Sequence, residues 1–237
     1  MNYQPLEWDS EFFDLKVARI EDPDLETNEL SKLLSKLRTE QFQLVYWPAT
    51  RECETSIAEQ FSGTLVDLKT TLCVNLQSLD ATSATPADKI IPYQAHMDIT
   101  QLRKLSIQAG EYSRFAVDSH FPREKFIALY EHWIDQCVDK IAASEVLVLP
   151  EDDKIAGMVT VGEKNGRGDI GLIAVDAQYR ERGFGEALVR AAQNWSTEQG
   201  QKIGQVVTQG ENTPAMNLYK RNGYAVESLT YYYHFWL

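Results

Sequence analysis

Short apolar runs alternate with helical stripes along the chain. Val17–Ile20 reads as a short strand, and Leu30, Leu33, Leu34 and Leu37 fall on one face of a helix that Thr27 or Asn28 would cap. Leu44-Val45-Tyr46-Trp47 reads as a strand stopped by Pro48. A second helix follows through Ile57, Ala58 and Phe61 to Gly63, and a third strand runs from Leu65 towards Leu76. This β-α-β-α-β succession is too short to bury a large core alone. Residues 78–92, rich in Ser, Thr, Ala, Asp and Pro, lack an apolar period until Ile90 and read as a linker.

Beyond it, Leu102, Leu105 and Ala109 share a helical face. Phe126, Leu129, Tyr130, Trp133 and Cys137 form a second stripe. Val146–Leu149 and Ile155–Val161 read as strands joined at Glu151-Asp152-Asp153. Asn165-Gly166 is a further turn signal, and Ile170–Val175 the next strand. A helix from about Gly185 turns Leu188, Ala191, Ala192 and Trp195 inward. Val206-Val207, a short helix over Pro214–Asn222 and aromatic β structure over Tyr224–Leu237 close the chain. The predicted organisation is a smaller domain at 1–77, a linker at 78–92 and a larger domain at 93–237.

Of the 237 residues, 43% are apolar and 24% charged, which fits a packed globule. Twenty-three basic against 35 acidic residues give a net charge of −12. That argues against nucleic acid as a partner, because phosphate backbones need a cationic surface. A small phosphate-bearing ligand needs only a local site. The charge is uneven: residues 1–92 carry 8 basic and 16 acidic residues, whereas residues 178–237 carry 6 and 5. No apolar run reaches membrane-span length and the N-terminus lacks a basic start, so neither membrane insertion nor a secretory signal is expected. Cys53, Cys73 and Cys137 are odd in number and widely spaced, which reads as free buried thiols in a reducing cytoplasm. The four histidines show no metal-ligand spacing, and no metal is expected.

The chemistry concentrates in the stretch after Ile170. A buried strand leads through a polar turn into Arg180-x-x-Gly183-x-Gly185, and a helix starts at once. Glycines there let backbone N–H groups converge, and a helix N-terminus adds free N–H groups and its positive dipole end. Arg180 and Arg182 flank this nest for a pyrophosphate. The bland alternative is a glycine turn that lets a helix pack closely on a sheet. A dinucleotide fingerprint would need a third glycine where Leu188 stands.

About thirty residues on comes Asn212-x-x-Ala215-x-x-x-Tyr219-x-x-x-Gly223-Tyr224. The two motifs together closely resemble the GCN5-related N-acetyltransferase superfamily over roughly residues 93–237. The resemblance implies an α/β (α+β) fold with a mixed, mostly antiparallel central sheet flanked by helices. It implies acetyl-coenzyme A as co-substrate, with its pyrophosphate on Arg180, Glu181, Arg182, Gly183, Phe184, Gly185 and Glu186. Its pantetheine would lie along Leu172, Ile173, Ala174 and Val175, where the strand splays from its neighbour. Leu6-Glu-Trp-Asp-Ser-Glu-Phe-Phe, Ser113-Arg-Phe and Tyr130-x-x-Trp133-Ile134 are similar to the acetyltransferases of dTDP-4-amino-4,6-dideoxygalactose (dTDP-fucosamine), which serve cell-surface polysaccharide synthesis. Those enzymes also carry an N-terminal partial domain, which here would close the acceptor site.

The resemblance implies roles for single residues. Tyr219 would protonate the departing thiolate, and Asp67 stands where a base is implicated, with Lys69 two residues on. A backbone N–H near Ile173 or Ala174 would polarise the carbonyl. Arg114, Phe115, His120 and Phe121 would line the acceptor cleft, Arg114 facing a diphosphate. Read without the resemblance, Tyr219 is equally a core aromatic, Asp67 a solvated carboxylate and Asn212 an N-cap. Arg114 is then a surface cation and the two phenylalanines are core. The function expected is acetyl transfer to the amine of a nucleotide-linked amino-deoxysugar, a small-molecule acceptor. Transfer to a cationic amine or protein N-terminus, or acyl-CoA binding without catalysis, are the alternatives. The acidic surface favours a cationic acceptor. The aromatic tail Tyr231–Trp236 would be either a homodimer interface or the end of the sheet.

Overall fold

A computed structural model describes residues 2–79 and 89–237. Residues 80–88 of the expected linker lie outside the described residues. Of the flanks, Leu76–Ser78 form a 3-10 turn, and Ile91–Pro92 form a short strand.

The chain divides into two compact units. The first comprises residues 1–70, 209–211 and 229–237; the second comprises 71–208 and 212–228. These ranges do not coincide with a division at residues 77 and 93, because the C-terminal strand joins the first unit. That strand pairs antiparallel with the strand at Leu44–Ala49, from Tyr231↔Ala49 to Trp236↔Leu44. The aromatic tail is therefore a sheet strand.

In the first unit, β1 (Tyr3–Pro5), α1 (Glu7–Phe13) and β2 (Val17–Ile20) precede α2 (Thr27–Thr39). The four leucines of the predicted stripe are its buried residues. Its cap differs from expectation: Glu26 is the N-cap and forms a reciprocal capping box with Glu29. β3 (Leu44–Ala49) runs through Pro48 and does not stop there. Pro48 stands opposite Tyr232 of the C-terminal strand but lies past Tyr46, the last residue paired with β2, so on the β2 side its missing N–H interrupts no ladder. α3 (Thr55–Gln60) and β4 (Gly63–Asn75) follow. The strand order here is β1-β2-β3-β10-β4, where β10 is Ala225–Trp236. α2, α3 and the sheet enclose a core that includes Leu34, Trp47, Phe61 and Phe235.

In the second unit, α4 (Ile99–Ala109), α5 (Arg114–Val117) and α6 (Arg123–Val138) precede three antiparallel strands. These are β6 (Glu145–Glu151), β7 (Lys154–Lys164) and β8 (Arg167–Val175), with Ile91–Pro92 as β5 pairing β6. The turns are as the sequence foretold: Asp152 and Asp153, then Asn165 and Gly166, all have positive φ. α7 (Phe184–Glu198), β9 (Ile203–Gln209) and α8 (Thr213–Arg221) complete it, with strand order β4-β9-β8-β7-β6-β5. Leu188, Val159 and Ile170 centre its core.

Antiparallel pairs predominate; β2–β3 and β8–β9 are parallel. Three burial expectations are corrected. Trp133 is 37% exposed, displaced from the core stripe by Ile134. Ala191 and Trp195 pack only at the edge of the core, because Ala187 and Gln193 take the inner face of α7. Of the three free thiols only Cys137 is buried, and Cys53 and Cys73 are half-exposed. Among the described residues no helix is long and apolar enough to cross a membrane.

Leu34 is fully buried in the first core. Leu34→Ala is expected to cost about 2–5 kcal/mol, read from the midpoint of a denaturant unfolding curve.

Candidate active site

Strand β8 changes partner part-way along. It pairs with β9 from Gly168↔Gly204 to Ile170↔Val206, and the register goes no further, although β8 continues to Val175 and β9 to Gln209. On its other side β8 stays paired with β7 to Val175, with a register shift between Val159 and Val161. Thr160 stands at that bulge, where its buried Oγ1 accepts the Leu172 N–H at 2.8 Å. Leu172 therefore donates towards β7. Backbone groups alternate along a strand, so the Ile173 N–H points to the side where β9 no longer pairs. The next residues repeat the alternation: Leu172 and Ala174 are buried, Ile173 and Val175 are partly open.

Past Val175, Asp176 caps a 3-10 turn at Ala177–Tyr179 through its side chain and the Gln178 N–H. The loop then reaches α7 through Glu181 and Gly183, both at positive φ (63° and 78°). Gly183 caps α7, and no atom stands within 4 Å of where its Cβ would be, so conformation and not space requires glycine there. Gly185 packs closely: a Cβ would sit 3.3 Å from the end of the Leu218 side chain of α8, tighter than ordinary contact. The first turn of α7 keeps N–H groups that no carbonyl of the helix can reach. Glu186 would oppose an anion there, but it is turned back to Arg190 at 2.8 Å.

The two arginines are held differently. Arg180 donates to the Val175 carbonyl at 3.2 Å and to Gln108 Oε1 at 3.3 Å, while Gln108 donates to Asp176 at 3.5 Å. Arg182 lies 5.2 Å over the Tyr179 ring. Neither pairs with a carboxylate among the described residues. An anion in the loop would meet two cations without competition from a fixed acidic partner.

On α8, Asn212 accepts the Ala215 N–H at 3.2 Å, the N-cap role. Tyr219 is 2% exposed and meets Tyr224 edge-on at 5.8 Å. Burial, with a smaller contribution from Tyr224, holds its phenol well above the ordinary 10.0. It therefore stays a protonated donor at neutral pH.

The acceptor-side residues stand around α5. Arg114 lies 4.2 Å over the Phe115 ring, and Phe115 meets buried Phe121 edge-on at 5.3 Å. His120 is bound through both its backbone N–H and its Nδ1 to Oδ1 of Asp118, which is almost wholly buried. These residues, the loop, Leu172–Val175, Asn212 and Tyr219 belong to the second unit. Asp67 belongs to the first, half-buried on β4. Thr160, Gln108 and Asp118 were not singled out from the sequence. Asp118-x-His120 carried a readable spacing; Thr160 and Gln108 act only through partners distant in the chain.

Residues 107–224 match the family model described as acetyltransferase (GNAT) family. That match takes in 118 of the 237 residues, and the chain is an acetyl-CoA-dependent N-acetyltransferase. It is similar to the dTDP-fucosamine acetyltransferase of Escherichia coli O6:H1, 27% identical over 238 residues, covering 97% of this chain and 96% of that protein. A conserved protein of unknown function from Staphylococcus epidermidis has the same fold, with a TM-score of 0.69 at 11% identity over 98% of this chain and 89% of that one. So does a GCN5-related N-acetyltransferase from Kribbella flavida, with a TM-score of 0.54 at 12% identity over 93% and 81%. Among the described residues no group of His, Cys, Asp and Glu is arranged to hold a metal.

Thr160→Val removes the acceptor of the Leu172 N–H without changing shape. It is expected to cost about 1–3 kcal/mol and to raise the KM for acetyl-CoA. Urea unfolding and steady-state kinetics read the two effects. Because folding raises the phenol's pKa, the native state loses stability as pH climbs past 10.0, where an unfolded tyrosine begins to ionise. Tyr219→Phe is expected to flatten that alkaline fall in Tm, measured between pH 9 and 11 (about the range around the ordinary value).

Proposed function

We propose that this acetyltransferase moves the acetyl group of acetyl-CoA to the amine of a nucleotide-linked 4-amino-4,6-dideoxyhexose. The observation that carries the reading is the likeness to dTDP-fucosamine acetyltransferase over nearly the full length of both chains. It extends through the N-terminal residues, which the family model at residues 107–224 does not cover. An acceptor shared with that enzyme would account for similarity outside the cofactor-binding part.

In this reading the pyrophosphate sits on the N–H groups between Glu181 and Glu186, with Arg180 and Arg182 at its flanks. The pantetheine lies along Leu172–Val175, whose open edge takes the place of the missing β9 ladder, with Asn212 near its end. The Ile173 N–H then faces the thioester carbonyl oxygen. An unprotonated amine attacks the carbonyl carbon, and the oxygen gathers negative charge against that N–H. As the C–S bond breaks, the Tyr219 hydroxyl gives its proton to the sulfur, and the new amide nitrogen loses one to a base. Asp67, acting through water, is the proposed base. Arg114, Phe115, His120 and Phe121 contact the acceptor.

The direct test adds dTDP-4-amino-4,6-dideoxygalactose and acetyl-CoA to the enzyme and follows free thiol. Saturable CoA release that depends on the sugar nucleotide is expected. Release with polyamines or peptide N-termini, and none with amino-sugar nucleotides, would assign the enzyme to the other acceptor class. Tyr219→Phe fits the same buried site and is expected to lower kcat about 10²–10⁴-fold with little change in either KM.

A further inference from the structure

The second unit's sheet is left open on one face where α6 ends. The helix stops at Val138, and the chain turns back into β6 through Lys140 at φ 59°. Beside that turn a cavity of about 370 Å³ opens, within the range of roughly 300–1,000 Å³ that small-ligand pockets occupy. Its floor exists because two sheet positions lack side chains. Gly162 on β7 pairs with Asp169 on β8, and Gly171 follows two residues on. A Cβ on Gly171 would come within 2.7 Å of Thr160 Oγ1.

The walls combine an aromatic surface with a fixed polar group. Trp133 lines the cavity and is 37% exposed, although Phe126, Leu129, Tyr130 and Ile134 of the same helix are buried. Asp169 also lines it. One of its oxygens accepts from the buried Gln205 Nε2 at 2.8 Å, which fixes the carboxylate's orientation. Lys164, on the same face of β7 as Gly162, brings a cation to the outer end. In register, the trough runs from Lys164 past Asp169 to Gly171, one residue beyond the last β8–β9 pair. At about 3.3 Å per residue, Asp169 stands about 13 Å from Ile173. That is too far for Asp169 to touch the reacting carbon, so it suits a hydroxyl on the side of an acceptor ring away from its amine.

A sugar ring has an apolar C–H face and a rim of hydroxyls, and it is bound by an aromatic plane together with oriented hydrogen-bond acceptors. We propose that this trough holds the deoxyhexose ring of the acceptor. Trp133 lies against the ring face, Asp169 accepts from a ring hydroxyl, and Lys164 stands where the diphosphate leaves. The assignment rests on the nucleotide-sugar reading above.

Steady-state kinetics with dTDP-4-amino-4,6-dideoxygalactose test it. Trp133→Ala and Asp169→Asn are expected to raise the acceptor KM about tenfold or more, roughly the effect of 1.4 kcal/mol, with the acetyl-CoA KM unchanged. Lys164→Ala is expected to raise the acceptor KM at low salt and less at high salt. Acceptor added without acetyl-CoA is expected to quench tryptophan fluorescence in the wild type and not in Trp133→Phe. If Asp169→Asn fails to fold, the exposed Trp133 still gives both readouts. Acceptor KM values within twofold of wild type in all three variants would overturn the trough assignment while leaving the acceptor class intact. A wild-type enzyme that acetylates no amino-sugar nucleotide would overturn the acceptor class, and the trough assignment with it.

Discussion

The hydrogen bond from Leu172 N–H to Thr160 Oγ1 sits at the point on which the second unit's chemistry turns. At the bulge a side-chain oxygen takes the place of a backbone carbonyl, so β8 keeps its hold on β7 while the ladder to β9 lapses after Ile170. A strand that loses one neighbour normally exposes unpaired groups at energetic cost. In the proposed reading the cofactor's amides and carbonyl replace the lost partner along that edge. The same alternation that gives Leu172 to Thr160 gives the Ile173 N–H to that edge. In the proposed reading a substitution at Thr160 would reach the cofactor through β8 and not by contact with it.

The glycine loop proposed to hold the pyrophosphate is built on this strand end, and its parts are coupled. Arg180 is tied to Val175, the last residue of β8, and to Gln108 of α4, which in turn reaches Asp176. The loop's cation is thus positioned by the strand beneath it and by a helix more than sixty residues earlier. Gly185 lets α8 approach α7 through Leu218, beside Tyr219 in the chain. Anion loop, open edge and buried phenol are consequences of one packing arrangement. The net charge of −12 does not oppose it, because residues 178–237 carry 6 basic and 5 acidic residues and neither loop arginine pairs with a carboxylate among the described residues.

Much of this was readable without coordinates. The motif Arg180-x-x-Gly183-x-Gly185 carried its own physical meaning, since positive φ at Gly183 and close packing at Gly185 are the two things glycine supplies. The leucines of α2 and the turn at Asn165-Gly166 were legible for the same reason: periodicity and turn chemistry are local. Misreadings arose where a neighbour in space decided. Pro48 stays in its strand because β2 has already ended, Trp133 is displaced from the core by Ile134, and Glu26 outcompetes Thr27 as a cap through its exchange with Glu29.

The sequence by itself determined the order and type of the elements, the glycine loop before α7 and the helix that carries Tyr219, because each depends on residues a few positions apart. It did not determine where the units divide or what β10 pairs with. Pairing of Tyr231–Trp236 with Leu44–Ala49 joins segments about 180 residues apart, and strand pairing at that separation is set by whole-chain packing. Nor did it reveal the trough at Gly162, Asp169 and Gly171. Two glycines and a carboxylate in neighbouring strands look unremarkable along the chain. They become a binding surface only when antiparallel register brings them to one face and the helix above ends short of covering them.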